Sequence, residues 1–191
     1  MRLTRRRALL LPLLVAACGE DAPVRTSFPP LRYEYLTPLR LNVAAIEYAP
    51  PPEPGPLDGL NPSPPAQALL RMAHDRLAAG GSLGRGVFVI DQALISRIPD
   101  GLEGALTVHL DVLTSEGTRA GFAEARVSRR LAGIGSDLRG ALYDITQQMM
   151  QDMNVEFEYQ VRRSLHDWLQ DTTTAPLPAP VQQQSLSPPK S

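Results

Sequence analysis

Residues 105–114 of the chain read ALTVHLDVLT, and apolar and polar side chains alternate strictly from Leu106 to Val112. One face of this stretch collects Leu106, Val108, Leu110 and Val112. The other face carries His109 and Asp111. A period of two is the period of a β-strand, and polarity on a single side indicates that only one face is buried. The stretch therefore predicts a strand in a sheet that has one packed face and one open face.

The flanking segments predict further strands of the same sheet. Residues 87–98 are apolar at most positions, which is typical of a central strand. Residues 119–131 place small or branched side chains on their inward face, namely Gly121, Ala123, Ala125 and Val127. Small inward side chains would let a helix approach the sheet closely. Turn-forming residues at 99–101 and 114–118 predict hairpins, and residues 39–48 alternate as an earlier strand.

A first helix is predicted over residues 63–79, between the earlier strand and the hairpins. Ser63 would cap it, prolines are tolerated in its first turn, and the glycines after residue 79 would stop it. Its apolar face collects Leu69, Leu70, Ala73 and Leu77. Its outward face is expected to carry Arg71, Asp75 and Arg76.

A second, long helix is predicted from Ser136 to about Leu169. Its apolar stripe repeats at spacings of three and four through Leu138, Leu142, Ile145, Met149, Met153, Val161, Leu165 and Trp168. Glu158 and Arg162 stand at the favourable i, i+4 spacing on its polar side. Such a helix would be about 50 Å long. We therefore expect it to bend near Asn154 or to project beyond the sheet.

The order of elements predicts the fold class. Strand, helix, three strands and a long helix make an α+β fold in which a mostly antiparallel sheet of about four strands is packed by two helices. Residues 39–169 are expected to form this single domain, with a proline-rich surface loop at residues 49–65. Residues 170–191 are polar and rich in proline and glutamine, and they are expected to be disordered.

Residues 1–17 have the three parts of a bacterial secretory signal. Arginines at positions 2, 5, 6 and 7 make a basic start, residues 8–15 form an apolar run, and small residues lead to Ala17. The apolar run is typical of an export signal and is too short to span a bilayer. We therefore expect cleavage between Ala17 and Cys18. The basic start fits ordinary secretion and also has some likeness to a twin-arginine signal, and ordinary secretion is favoured.

Cys18 is the single cysteine of the chain, so no internal disulfide is possible. The segment Val15-Ala16-Ala17-Cys18 resembles a bacterial lipobox, whose cysteine accepts a diacylglyceryl group and becomes the mature N-terminus. The resemblance implies a covalent lipid on Cys18, and several acyl chains on one residue give durable anchoring. The domain would then face the periplasm. Gly19 replaces the aspartate that retains lipoproteins at the inner membrane of enteric bacteria, which favours the outer membrane.

Residues 18–38 are expected to tether the domain to this anchor. The segment is polar at first and then carries three aromatic residues among prolines, Phe28, Tyr33 and Tyr35. These aromatic side chains could pack the tether onto the domain or face a partner, and packing is the favoured interpretation.

Composition and motifs exclude several functional classes. The formal net charge is -1 and the pI is about 6.3, so no binding of nucleic acid is expected. No metal-binding pair, nucleophile elbow or phosphate loop is present, so we expect no cofactor besides the lipid and no enzymatic activity. An alternative is a periplasmic enzyme that uses His109, Asp111 and Glu124, should Glu124 lie on the neighbouring strand. Ordinary cross-strand pairing accounts for the same residues.

Two groups of side chains are candidates for contact with a partner or a lipid. The first group is Arg126, Arg129 and Arg130, which could meet acidic lipid or lipopolysaccharide phosphates, or could simply be solvated. The second group is Met149, Met150 and Met153, which could form an adaptable binding surface or pack in the core.

The lipobox followed by this order of elements resembles small envelope lipoproteins that assist transport or assembly. The layout is similar to the lipopolysaccharide-assembly lipoprotein that plugs an outer-membrane barrel, and to auxiliary lipoproteins of ABC-type lipid transport systems. Residues 121–127, GFAEARV, also resemble a group of lipoproteins without an assigned role. The resemblance implies a non-enzymatic accessory subunit that docks onto an envelope protein complex. A lipid-binding carrier domain is the alternative, and it requires a cavity between sheet and helices.

Overall fold

The computed structural model of the chain describes residues 25–170. Eight regular elements follow one another: β1 (Leu39–Leu41), β2 (Ala45–Tyr48), α1 (Pro65–Arg76), β3 (Leu77–Ala79), β4 (Arg85–Ile98), β5 (Gly101–Leu113), β6 (Arg119–Ala132) and α2 (Leu138–Ser164). Short 3-10 turns lie at Asp58–Leu60 and His166–Trp168. The predicted α+β class, with a mostly antiparallel sheet and a long C-terminal helix, is confirmed. No helix among these residues is both long and apolar enough to cross a membrane.

The main sheet has four strands in the order β2-β4-β5-β6. The three long strands form an antiparallel meander, and β2 joins its edge in parallel with β4. The register aligns Phe88 of β4 with Leu110 of β5, and Leu110 with Ala123 of β6. These three side chains are buried on the face that the helices cover. The alternation predicted for residues 105–114 therefore sets the packed face of the whole sheet.

The strand predicted over residues 39–48 is two strands that belong to different sheets. β1 pairs in parallel with β3, whereas β2 pairs with β4. The chain changes sheets at Asn42, whose backbone nitrogen donates to the carbonyl of Trp168 at 2.7 Å. Asn42 and Trp168 are far apart in sequence, so the alternation of residues 39–48 does not predict the contact between them.

The first helix is shorter than predicted at both ends. Its N-terminal cap position is Pro64, without a side-chain cap, so the capping role predicted for Ser63 is wrong. The helix ends at Arg76 because Leu77–Ala79 is extended and pairs with β1. Backbone pairing with a distant strand thus overrides the local helical pattern of these residues.

The second helix runs for 27 residues and is about 40 Å long. Asp137 caps it, accepting a hydrogen bond from the backbone of Gly140 at 2.9 Å. The helix ends before the predicted boundary at Leu169, and a 3-10 turn returns the chain to the sheet. Leu165 is 1% exposed, and a methyl group at Gly121 of β6 would lie 2.6 Å from its Cδ2 atom. The far end therefore packs on the sheet and does not project.

The proline-rich loop at residues 49–65 connects β2 to α1 over the surface and is attached at two points. The backbone of Ala49 donates to Phe88 at 2.9 Å and continues the pairing of β2 for one residue. The buried side chain of Asn61 donates from Nδ2 to Oγ1 of Thr146 in α2, also at 2.9 Å. The loop is therefore fixed to the edge strand and to the long helix.

One core fills the space between sheet and helices. Phe157 of α2 meets Phe88 of β4 edge to face, with ring centroids 5.7 Å apart, and both rings are almost completely buried. The fully buried side chains around the middle of the sheet include Leu106, Val108, Leu110, Leu142, Ile145, Met149 and Met153. Such a filled interface between layers is the main source of stability for a fold of this size.

We predict that Phe157→Ala lowers the free energy of unfolding by about 3–5 kcal/mol, because it removes a buried ring and leaves a cavity. Val155→Ala is the matched control on the same helix, since Val155 is 68% exposed. Urea unfolding of the two variants measures the difference. Equal midpoints for both variants would contradict this account of the core.

Candidate functional site

The described part of the tether, residues 25–38, begins with an ion pair to the long helix. Nη1 and Nη2 of Arg25 donate to the two carboxylate oxygens of Asp144 at 2.7 and 2.6 Å. The backbone nitrogen of Arg25 also donates to Asp137, the cap of α2, at 3.3 Å. The hydrogen bond to Asp144 raises the pKa of Arg25, and the backbone hydrogen bond from Gly140 lowers the pKa of Asp137. We call Arg25, Asp137 and Asp144 the tether clamp.

Aromatic packing continues the attachment beyond the clamp. The ring of Phe28 lies 5.3 Å from the ring of Tyr143, and the guanidinium of Arg139 lies 5.8 Å from Phe28. Tyr143 donates its hydroxyl hydrogen bond to the carbonyl of Pro29 at 2.8 Å. These contacts combine an aromatic pair, a cation over a ring and a hydrogen bond on one short segment. The tether is therefore a packed part of the domain from residue 25 onward.

The three tether aromatics do not share one role. Tyr33 is 6% exposed, and burial raises the pKa of its hydroxyl. Its backbone nitrogen donates to Asp75 of α1 at 2.8 Å. Tyr35 is 79% exposed. Packing is thus confirmed for Phe28 and Tyr33, while Tyr35 faces outward. Ala17 and Cys18, the predicted cleavage and lipidation residues, lie outside the described residues.

His109 lies on the open face of the sheet, as predicted, but its closest partner is one that the sequence did not reveal. Nδ1 of His109 lies 2.7 Å from Oδ2 of Asp91, and Nε2 lies 3.8 Å from Oδ2 of Asp111. Asp91 lies at a β-bulge where the register of β4 and β5 shifts between Ile90 and Gln92. The bulge brings Asp91 to His109, and bulges of this kind re-aim side chains.

Glu124 lies opposite His109 in the register of β5 and β6, but its carboxylate pairs with Arg126 of its own strand at 2.7 Å. The ring of Phe122 lies 5.5 Å from the ring of His109. The guanidinium of Arg119 lies 5.2 Å from Phe122 and 3.3 Å from Asp111. Of the predicted trio, His109 and Asp111 therefore lie side by side, whereas Glu124 is paired with Arg126. We call Asp91, His109, Asp111, Arg119 and Phe122 the open-face cluster.

The chemistry available to the open-face cluster is limited by its neighbours. An aspartate on Nδ1 is the partner that orients a catalytic histidine, which then needs a hydroxyl or thiol nucleophile at Nε2. In this cluster Nε2 faces the carboxylate of Asp111 instead. Within residues 25–170 no group of three potential ligand side chains is arranged to hold a metal ion. The cluster is suited to charge pairing on the sheet surface.

The three candidate arginines do not form one patch. Arg126 and Arg130 lie on the open face, where Arg130 pairs with Glu103 at 2.8 Å. Arg129 has the opposite parity along β6 and pairs with Asp152 of α2 at 2.6 Å. Because Arg126 pairs with Glu124, all three guanidinium groups have a carboxylate partner. The three arginines therefore do not share one strand face, because residues 126 and 129 point to opposite sides of the strand.

The methionine group lies in the core. Met149, Met150 and Met153 are each 0% exposed. Met149 packs beneath Gly104 of β5, where a methyl group would lie 2.6 Å from its sulfur. Of the two interpretations of these residues, core packing is the one that the structure bears out. These methionines therefore do not form the alternative, an adaptable binding surface, because no part of their side chains reaches solvent.

A buried arginine forms a polar site between the two helices. Arg76 was expected on the outward face of the first helix, but it is 1% exposed. Its Nη1 donates to Asn154 and its Nη2 donates to Glu158 of α2. Glu158 also accepts from Arg162 at 2.9 Å, which confirms that predicted i, i+4 pair. The signal was present, because Arg76 follows Leu69 by seven residues and therefore shares its face.

The electrostatics of this network favour a charged glutamate. Burial raises the pKa of Glu158, but hydrogen bonds and positive charges from Arg76 and Arg162 outweigh it and leave the pKa below its ordinary value. A buried guanidinium is tolerated only when paired. The network therefore depends on Glu158 remaining ionised.

No protein-family model matches the chain. No curated protein matches it either. Among solved structures, the chain is similar to a crystal structure of a candidate lipoprotein from Caulobacter crescentus CB15. The two share 15% sequence identity and superpose with a TM-score of 0.37, over 62% of this chain and 85% of the other. The function is therefore argued from the residues of this chain.

We predict that Arg25→Ala releases the tether without unfolding the domain. The Arg25–Asp144 pair is partly exposed, at 45% and 34%, so its loss should act locally. Amide hydrogen exchange over residues 28–33 should become faster, while the urea midpoint stays nearly the same. Arg32→Ala is the control, because Arg32 pairs only across 3.6 Å with Glu34 at the surface. Equal exchange in both variants would argue against the clamp.

We predict that Glu158→Gln lowers the melting temperature at pH 7, because it leaves Arg76 buried with a weaker partner. A lowered pKa in the folded state stabilises the fold above the unfolded pKa, and this contribution is lost as pH falls through the folded value. The gap between variant and parent should therefore narrow below about pH 4. Glu156→Gln on the same helix is the control. A constant gap from pH 7 to pH 3 would disprove the linkage.

Proposed function

We propose that this chain is a bacterial lipoprotein, anchored through a lipid on Cys18, whose domain faces the periplasm as a non-enzymatic accessory subunit of an envelope transport or assembly complex. The observation that supports it most is the tether clamp. A lipidated cysteine joined to the domain by a flexible linker would leave the position of the domain relative to the membrane undefined. The clamp instead attaches the chain to α2 only seven residues after Cys18.

The short distance between anchor and clamp limits where the domain can lie. Seven fully extended residues span at most about 25 Å. The start of α2 must therefore stay within that distance of the lipid on Cys18. Because α2 is about 40 Å long, its far end at Ser164 can lie well away from the bilayer. A domain held in this way offers a defined face to a partner in the same membrane.

The side chains of the open face agree with a role without catalysis. His109 contacts two aspartates, Glu124 contacts Arg126, and among residues 25–170 no hydroxyl or thiol group is hydrogen-bonded to the histidine ring. Charged groups on a surface can steer and orient a protein that carries complementary charges. A carrier for an apolar ligand would instead need space between sheet and helices, where the side chains of Leu110 and Met149 are fully buried in the packed core. The accessory role is therefore favoured over the carrier.

The anchor is tested with Cys18→Ser. The parent protein should partition into the membrane fraction, and the variant should be released into the soluble periplasmic fraction, because the acyl chains are its attachment. Gly19→Asp is a matched companion, expected in an enteric host to move the protein from the outer to the inner membrane. Unchanged partitioning of the Cys18→Ser variant would refute the lipid anchor.

The accessory role is tested with the same pair of proteins. Affinity capture of the intact chain in mild detergent, followed by mass spectrometry, should recover a transporter or outer-membrane assembly component. The Cys18→Ser variant should recover less of it, because partner and domain no longer share a membrane. If the parent recovers no envelope protein and its deletion leaves envelope integrity unchanged, the accessory role is wrong even though the anchor stands.

A further inference from the structure

A polar cavity of about 440 Å³ lies where β1, the end of α1 and the last turns of α2 meet. Its charged lining consists of Arg40, Arg76, Arg162 and Glu158. Three guanidinium groups against one carboxylate leave an excess of positive charge. The cavity is separate from both the tether clamp and the open-face cluster, so nothing proposed for the anchor depends on it.

Arg76 gives this cavity a built donor. The residue is 1% exposed, and its two terminal nitrogens are used by Asn154 and Glu158. Its Nε has no acceptor among residues 25–170. Buried polar groups are nearly always hydrogen-bonded, so the Nε–H of Arg76, a residue that lines this polar cavity, is a donor that still needs an acceptor.

The other two arginines have N–H groups that form no ion pair with the described residues. Arg162 uses Nε to reach Glu158 at 2.9 Å, and within the described part of the chain its terminal nitrogens have no ion-pair partner. The side chain of Arg40 makes no salt bridge with any described residue. Glu158 meanwhile fixes both Arg76 and Arg162 in place. Two of the three guanidinium groups are thus held by a carboxylate that is already occupied, and Arg40 lines the same cavity from β1.

We propose that this cavity binds an oxyanion, the phosphate or carboxylate group of a small ligand. The planar fork of a guanidinium matches the two oxygens of either group. The partly buried setting strengthens the attraction relative to water. The apolar side chains of Leu36 and Leu169 in the same wall would contact the organic part of the ligand. The volume exceeds what a bare anion requires, which fits a ligand with such a part.

The test uses the full chain purified in nonionic detergent and titrated calorimetrically with inorganic phosphate, glycerol phosphate and succinate at constant ionic strength. Saturable binding of at least one probe is expected. Arg40→Gln and Arg162→Gln should each weaken it by about tenfold or more, since each removes a charge-assisted hydrogen bond. Arg163→Gln is the matched control, because Arg163 is the exposed neighbour of Arg162 and does not line the cavity. Its affinity should stay within about twofold of the parent.

A second arm separates a soluble ligand from a lipid headgroup. The Cys18→Ser variant, which lacks the anchor cysteine, is mixed with vesicles of phosphatidylcholine with or without phosphatidic acid. Binding to phosphatidic acid that is lost in Arg40→Gln would identify a headgroup as the source of the phosphate. Binding of glycerol phosphate without vesicle binding would identify a soluble ligand. Either result supports the site.

Three results would overturn the proposal. The first is the absence of saturable binding by every probe and vesicle at millimolar concentration. The second is equal weakening by Arg163→Gln and Arg162→Gln, which would mean unspecific attraction between charges. The third is binding that appears only after residues 171–191 are deleted, since the occupant would then be the chain itself. Circular dichroism of the variants shows that any loss of binding is not a loss of fold.

Discussion

The close approach of α2 to β6 and the neighbouring β5 is the constraint on which the rest of the structure depends. The inward face of β6 carries small side chains at Gly121, Ala123 and Ala125. The helix can therefore lie against this strand and bury Leu165 at its far end. Larger side chains at these positions would hold the layers apart and open the core. The same packing commits the opposite face of the sheet to solvent, because each strand alternates between the two faces. One packed layer therefore determines both where the core is and which polar residues can meet a partner.

The polar side of α2 holds three segments that lie outside the main sheet. At its start, Asp137 and Asp144 hold the tether. In its middle, Thr146 receives the proline-rich loop through Asn61. Near its end, Glu158 holds the buried Arg76 of the first helix. Long helices with one apolar stripe usually turn the other side to water. Here three positions along that other side fix the tether, the proline-rich loop and the end of the first helix.

The two charged regions of the surface differ in how fully their groups are paired. On the open face, His109 contacts two aspartates and Arg126 contacts Glu124, so the charged side chains of that face are largely paired with one another. Around the cavity at the end of α2, Arg76 and Arg162 share one glutamate, Arg40 adds a further positive charge, and the buried Nε of Arg76 has no acceptor among residues 25–170. Charge complementarity across an interface contributes to orientation and selectivity in docking, whereas a buried donor without an acceptor calls for an explanation, which the proposed anion supplies here. The open face thus presents paired charges, and the cavity presents an excess of positive charge.

The sequence alone determined the elements whose pattern is local. The alternation in residues 105–114, the small face of β6 and the long stripe of α2 each follow from the side-chain period of the element that contains them. The Glu158–Arg162 pair was predictable for the same reason. Tertiary structure decided what depends on distant partners. Residues 39–48 divide into two strands because Asn42 bonds to Trp168, and Leu77 leaves the helix because it pairs with Leu39. Asp91 reaches His109 only through a bulge. The helical period places Arg76 on the buried face with Leu69, but its partners Asn154 and Glu158 lie 78 and 82 positions away. Such contacts join residues that are many positions apart, and a single sequence carries no period that reveals them.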